Sequence, residues 1–223
     1  MLKVFFLYIG LELKILCRSR ADWIQPLLLY LLTISLFGIT LSGEKEILTQ
    51  VGGVILWVAI LFAMLTLSEN MLRKDIEEGW LNQLKISPTP LWLFLLGKGV
   101  AYWLVIGLGL LASLPIIAVW LYFSLNMALG LAFIYFIATP ALVVLLLFGL
   151  SLTVGLPKPG LLLGLLLLPL CIPILILGQS AVRVLQANQW PVFESALLGA
   201  ITIVTVMFLP ILSAFSLEQT CDE

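Results

Sequence analysis

Residues 127–153 read MALGLAFIYFIATPALVVLLLFGLSLT, without one charged side chain. A bilayer core about 30 Å thick is crossed by about 20 helical residues. This stretch therefore spans a membrane with length to spare, taken up by tilt or by projection into the interface. Five further apolar segments flank it, at residues 23–41, 48–68, 91–121, 160–178 and 194–217. The whole chain has 223 residues, of which 62% are hydrophobic and 10% charged, with a mean hydropathy of +1.20. Soluble domains are about half apolar and about a quarter charged. The expected fold is all-α, a single transmembrane domain over 1–223 with six membrane-spanning helices. Little chain is left for a folded domain outside the membrane.

Pro115, Pro140, Pro169, Pro173 and Pro210 fall inside these segments, where each removes a backbone donor and kinks its helix. The Pro169/Pro173 pair predicts a bent or partly broken fifth span. Lys98, near the start of the third, is expected to snorkel to the surface. Residues 1–20 place Lys3, Gly10, Lys14, Cys17 and Arg18 on one stripe of a helix that is otherwise largely apolar. That pattern suits an amphipathic helix lying in the headgroup region. A cleaved secretory signal fits less well, because Glu12 and Lys14 interrupt the apolar run and Arg18-Ser19-Arg20 replaces a small-residue cleavage site.

Nine of the basic residues (Lys3, Lys14, Arg18, Arg20, Arg73, Lys74, Lys85, Lys98 and Lys158) fall on one side of a six-span arrangement. Lys45 and Arg183 fall on the other. The positive-inside rule then predicts that both termini are cytoplasmic.

Composition narrows the function as well. The chain has no histidine, which removes imidazole ligands, bases and proton relays together. No Asp or Glu lies mid-span, which disfavours ion-coupled transport. Cys17, Cys171 and Cys221 show no CxxC spacing. A net charge of −1 gives no reason to expect a nucleic-acid partner. No GxxxxGK[ST] sequence is present, and Gly97-Lys98-Gly99 lacks the upstream glycine of a phosphate loop. No residue is nominated as catalytic, metal-binding or cofactor-binding, and the chain reads as a non-enzyme. Energy for uphill movement must come from a partner.

The longest loop on the basic side, Glu69 to Pro90, reads ENMLRKDIEEGWLNQLKISPTP. Leu72, Ile76, Trp80 and Leu84 recur every fourth residue; Lys74, Asp75, Glu78, Asn82 and Lys85 face the other way. Glu69–Arg73, Arg73–Glu77 and Lys74–Glu78 are i,i+4 pairs, each worth about 0.2–0.5 kcal/mol. Gly79 interrupts the helix and Ser87-Pro88-Thr89-Pro90 ends it. Two readings stand: a solvated loop with Trp80 in the interface, or a docking helix that passes force from a cytoplasmic partner to two spans. Between the fifth and sixth spans, Gly178 to Phe193 is expected as a loop with Trp190 as an anchor, or with a short interfacial helix around Val182 and Leu185. Gly160 and Gly164 form a small-residue face for helix packing.

Glu69, Asp75, Gly79, Leu81, Gln83 and Leu84, in the form E…D-x-x-x-G-x-L-x-Q-L, resemble the cytoplasmic signature of the CcmB family, haem exporter permeases of bacterial cytochrome c maturation. Gly53-xxx-Trp57-Val58-Ala59, Thr139-Pro140, the run Gly149 to Leu156 and Leu168-Pro169-Leu170-Cys171-Ile172-Pro173 extend the resemblance over nearly the whole chain. Asn82 stands where the family often has Glu, and Pro157-Lys158-Pro159-Gly160 replaces a more glycine-rich basic turn. The resemblance implies an ABC exporter permease of the bacterial inner membrane. Residues 1–20 would be its elbow helix and 69–90 its coupling loop, with Glu69, Arg73, Asp75, Gly79, Trp80, Leu81, Gln83 and Leu84 docking the ATPase. It further implies the ATPase CcmA, the partners CcmC and CcmD, a second copy of the chain, and surrounding lipid. ATP would act through the partner subunit, with haem as candidate substrate and release of haem-loaded CcmE from CcmC as the output. Alternatives are a six-span exporter of lipid or drug, or a passive scaffold.

Overall fold

The structure, a computed structural model, describes residues 2–41, 43–72, 75, 89–154 and 159–220. Every element among them is a helix: α1 (Leu2–Arg18), α2 (Arg20–Thr40), α3 (Lys45–Met71), α4 (Leu91–Tyr102), α5 (Leu108–Trp120), α6 (Leu125–Thr153), α7 (Pro159–Gln186) and α8 (Val192–Thr220). A π turn, Trp103–Gly107, joins α4 to α5 without interrupting the rod. Six helices are long and apolar enough to cross a membrane, with α4, the π turn and α5 forming the third of them. In hydrocarbon no water satisfies backbone groups, so a helix, which bonds its own, is what such apolar stretches adopt.

Helix α6 is the hub, with Leu131, Ile134, Tyr135, Ala138, Ala141, Leu142 and Leu146 all buried. Helix α8 lies along it and is pinned by two hydroxyls. Thr202 Oγ1 donates to the Ile137 carbonyl at 2.8 Å, and Ser216 Oγ donates to the Ser151 carbonyl at 3.1 Å. Short polar side chains act this way between helices because lipid offers no competing partner. The rest of α8 turns Ile203, Met207, Phe208, Ile211 and Phe215 outward.

On the other flank of α6, Trp57 of α3 meets Tyr135 edge-on, ring centroids 5.4 Å apart. Its indole lies directly against Gly178 of α7. The π turn folds Trp103 over Gly107, so that Trp103 Nε1 donates to Thr139 Oγ1 at 3.0 Å and its ring meets Phe136 at 5.3 Å. Nothing in the composition announces a π turn.

Two expectations need correction. Pro169 and Pro173 do not break α7, which is helical throughout. Nor does the helix stop at Gly178: it continues to Gln186, so the interfacial segment expected around Val182 and Leu185 is the last part of α7. Ala181, Val182 and Leu185 are buried, and Gln186 Nε2 donates to the Thr49 carbonyl at 2.8 Å. Gly178 reads as a terminator but serves as the seat for Trp57. Termination falls instead at Asn188, whose φ of 56° is the left-handed conformation asparagine tolerates after a helix.

Candidate functional site

Helix α1 breaks from α2 only at Ser19, and it packs across the start of α4. Tyr8, Glu12 and Leu16, spaced four apart, are its buried stripe. Tyr8 Oη and Thr89 Oγ1 share a hydrogen bond of 2.8 Å, and the Tyr8 ring meets Phe94 edge-on at 5.5 Å. A Cβ at Gly97 would stand 3.1 Å from Tyr8 Cβ and 3.7 Å from the Ile9 backbone nitrogen. Glycine there admits this close crossing.

The next residue, Lys98, does not snorkel. It is 3% exposed, and its ammonium donates to Glu12 Oε1 at 2.9 Å and pairs with Asp75 Oδ2 at 2.7 Å. The Phe94 and Tyr102 rings, four residues away on either side, lie 5.5 and 5.6 Å from Nζ, close enough for cation–π attraction. Glu12 is likewise 3% exposed. Burial pushes its carboxyl above the ordinary carboxylate value; Lys98 opposes that rise and the Asp75 charge adds to it. One ammonium thus joins three segments: α1, the chain that follows α3, and the base of the third span.

Of the residues nominated from sequence, Asp75 is the one whose side chain is described, and it points inward to Lys98. Glu69 lies in α3. Arg73, Gly79, Trp80, Leu81, Gln83 and Leu84 lie outside the described residues, as does most of the expected coupling helix. Glu12 and Lys98 were missed as partners. The signal was one acid and one base in two separate apolar helices, with Lys98 flanked by two glycines that let neighbours approach.

Because a neutral acceptor can replace the Glu12 oxygen, Glu12→Gln is expected to cost about 1 kcal/mol or less. The raised pKa also fixes a sign. Stability contributed by Glu12 is complete below the ordinary carboxylate range and is lost as pH rises through the raised value. Thermal midpoints in detergent, taken between about pH 4 and pH 8, should therefore show wild type losing ground to Glu12→Gln as pH rises.

Apolar grooves among the described residues lie along the spans. One, about 480 Å³, runs between α2 and α3 and is lined by Gln25, Leu29 and Thr66 among others. The second, about 420 Å³, lies between α5 and α6 at the opposite end from Lys98 and includes Pro115, Phe123 and Ala132. Cys171 is buried and Cys17 exposed.

The family model described as "CcmB protein" matches residues 3–220. Heme exporter protein B of Haemophilus influenzae is 35% identical over 219 residues, covering 98% of this chain and 99% of its own length. The protein of the same name from Pseudomonas aeruginosa is 38% identical over 183 residues, 82% of each chain. That of Escherichia coli K12 is 34% identical over 215 residues, 96% of this chain and 98% of the relative. With six spanning helices and end-to-end similarity to bacterial proteins, the chain belongs to the CcmB family of multi-pass proteins of the bacterial inner membrane.

Proposed function

We propose that this chain is the membrane permease subunit of an ABC-type haem exporter serving c-type cytochrome biogenesis. The observation that carries the reading is similarity to proteins named heme exporter protein B along essentially the full length of both chains. The physical character of the chain agrees with it. No nucleotide-binding loop is present, and no carboxylate sits at mid-membrane among the described residues, so neither its own ATP hydrolysis nor an ion gradient is built in. A separate ATPase of the CcmA kind supplies the energy. It docks on the segment 69–84 through residues other than Asp75, whose carboxylate turns inward to Lys98, with both termini and the loop on the cytoplasmic side as the basic residues require. CcmC, CcmD and a second copy of the chain complete the assembly.

The chain has no histidine to ligate haem iron, and the grooves described between α2 and α3 and between α5 and α6 are lined by no Met, Cys or Tyr. The subunit therefore acts by transmitting ATP-driven motion that releases haem-loaded CcmE from CcmC, with haem as cargo of the assembly. A stoichiometric haem spectrum in the purified subunit, abolished by substituting a Met or Cys, would overturn that part.

The test of the whole reading is co-expression with the cognate ATPase, followed by pull-down in detergent and measurement of ATP hydrolysis. Gly79→Pro is the informative variant, because Asp75 is engaged by Lys98 and its charge reversal would disturb the subunit itself. Wild type should retain the ATPase through purification, whereas Gly79→Pro should lose tenfold or more of it at unchanged membrane level. Failure of wild type to retain any ATPase would defeat the reading and favour a passive scaffold.

A further inference from the structure

A buried ion triad is an uneconomical way to hold helices together. Replacing such groups by uncharged ones of similar size is often neutral or stabilising, so stability alone gives little reason to bury Glu12 and Lys98 and to bring Asp75 to the same point. Their placement offers another reason. Asp75 lies four residues beyond the end of α3, within the 69–84 segment; Lys98 is at the base of the third span; Glu12 is midway along α1. Lys98 is enclosed by Phe94 and Tyr102, and α1 is seated beside it by the Tyr8–Thr89 hydrogen bond and the close crossing at Gly97. A displacement of the chain after α3 reaches α1 and α4 through a single ammonium group with little slack, because that group donates to Glu12 Oε1 at 2.9 Å and forms an ion pair with Asp75 Oδ2 at 2.7 Å.

We propose that Lys98 is a positioning residue for energy transfer. With Glu12 and Asp75 it forms a linkage that makes α1 and the base of the third span move with the loop after α3. This rests on the proposed function, since it presumes an ATPase acting on that loop. The role differs from docking: Glu12 and Lys98 are buried, the Asp75 side chain is 13% exposed and turned toward Lys98, and the linkage acts after the partner has bound.

The test uses the full complex with its ATPase and a triple substitution, Glu12→Gln with Lys98→Met and Asp75→Asn, which removes the charges at nearly constant volume. The expected result is a wild-type level in the membrane, undiminished ATPase retention and ATP hydrolysis within twofold, but at least a tenfold loss of matured c-type cytochrome per ATP hydrolysed. A purely structural pin would not separate hydrolysis from output. Wild-type output per ATP in the triple variant would overturn the proposal. So would loss of ATPase retention, which would make the triad a docking determinant. Failure of wild type itself to bind the ATPase would count against the proposed function instead.

A second measurement needs no triad variant. Cys17 is a native exposed thiol on α1, five residues from Glu12. In a Cys221→Ser background, its rate of reaction with a water-soluble maleimide should change at least threefold between the nucleotide-free and vanadate-trapped complex. A rate indifferent to nucleotide would overturn the linkage, whether or not the triple variant accumulates.

Discussion

Lys98→Ala should be among the most damaging single substitutions in the chain. It leaves Glu12 buried without a counter-charge and takes from Asp75 the ammonium 2.7 Å away. Breaking a buried pair by removing one partner costs about 3–5 kcal/mol, a large part of the 5–15 kcal/mol that typically separates folded from unfolded protein. The thermal midpoint in detergent should fall sharply and membrane yield with it. The comparison with the triple Gln/Met/Asn variant carries the physical content. Removing all three charges should cost far less than removing the lysine alone, because the penalty comes mainly from the Glu12 carboxylate left buried without its counter-charge rather than from lost packing. Adding Glu12→Gln to Lys98→Ala should recover part of the loss. Equal damage from the single and triple variants would show that the ion pairs themselves stabilise the fold and that a stranded carboxylate adds no further penalty.

The six spans were legible because hydropathy over twenty or more residues is a summed signal that no single side chain can mask. The segment at residues 127–153 appears as a helix over Leu125–Thr153, and the segment at 23–41 as one over Arg20–Thr40. What escaped was decided by single contacts. Gly178 stands at the end of the apolar segment 160–178 and is expected to open a loop; the reason for this glycine lies on α3, where Trp57 needs the space. The proline pair points to a bent or partly broken helix, and α7 continues through both without a break. The π turn at Trp103–Gly107 follows from no local preference. It accompanies a tryptophan that reaches Thr139 on another helix.

The candidate site divides in the same way. The loop after α3 stands out in sequence because it interrupts two hydrophobic runs with a dense patch of charge. Glu12 and Lys98 lie 86 residues apart, and each has an adequate local explanation: an interruption in an amphipathic helix, and a snorkelling lysine near a membrane surface. Only the crossing of α1 over α4 at Gly97 brings them together.

That dependence on glycine at close crossings sets up the second large expected effect. In Gly178→Leu the new Cβ would fall inside the Trp57 indole, a ring 3% exposed and held edge-on by Tyr135. A buried indole has no free space into which to swing, so α3 and α7 must separate. Overpacking of this kind costs about 1–3 kcal/mol and occasionally more, and leucine at a position where even a methyl clashes should lie at the upper end. Gly164→Leu is the control, on the same helix and with nothing within 4 Å of its Cβ position. Leucine also favours helix over glycine by about 0.8 kcal/mol, so the isolated subunit should tolerate this change or gain slightly from it. Thermal midpoints of the two variants in detergent should therefore move in opposite directions from wild type. Trp57→Ala, combined with Gly178→Leu, should return part of the loss, since the cavity left by the indole accepts the new side chain. Similar behaviour of the two glycine variants would mean that α7 does not pack on α3 through Gly178.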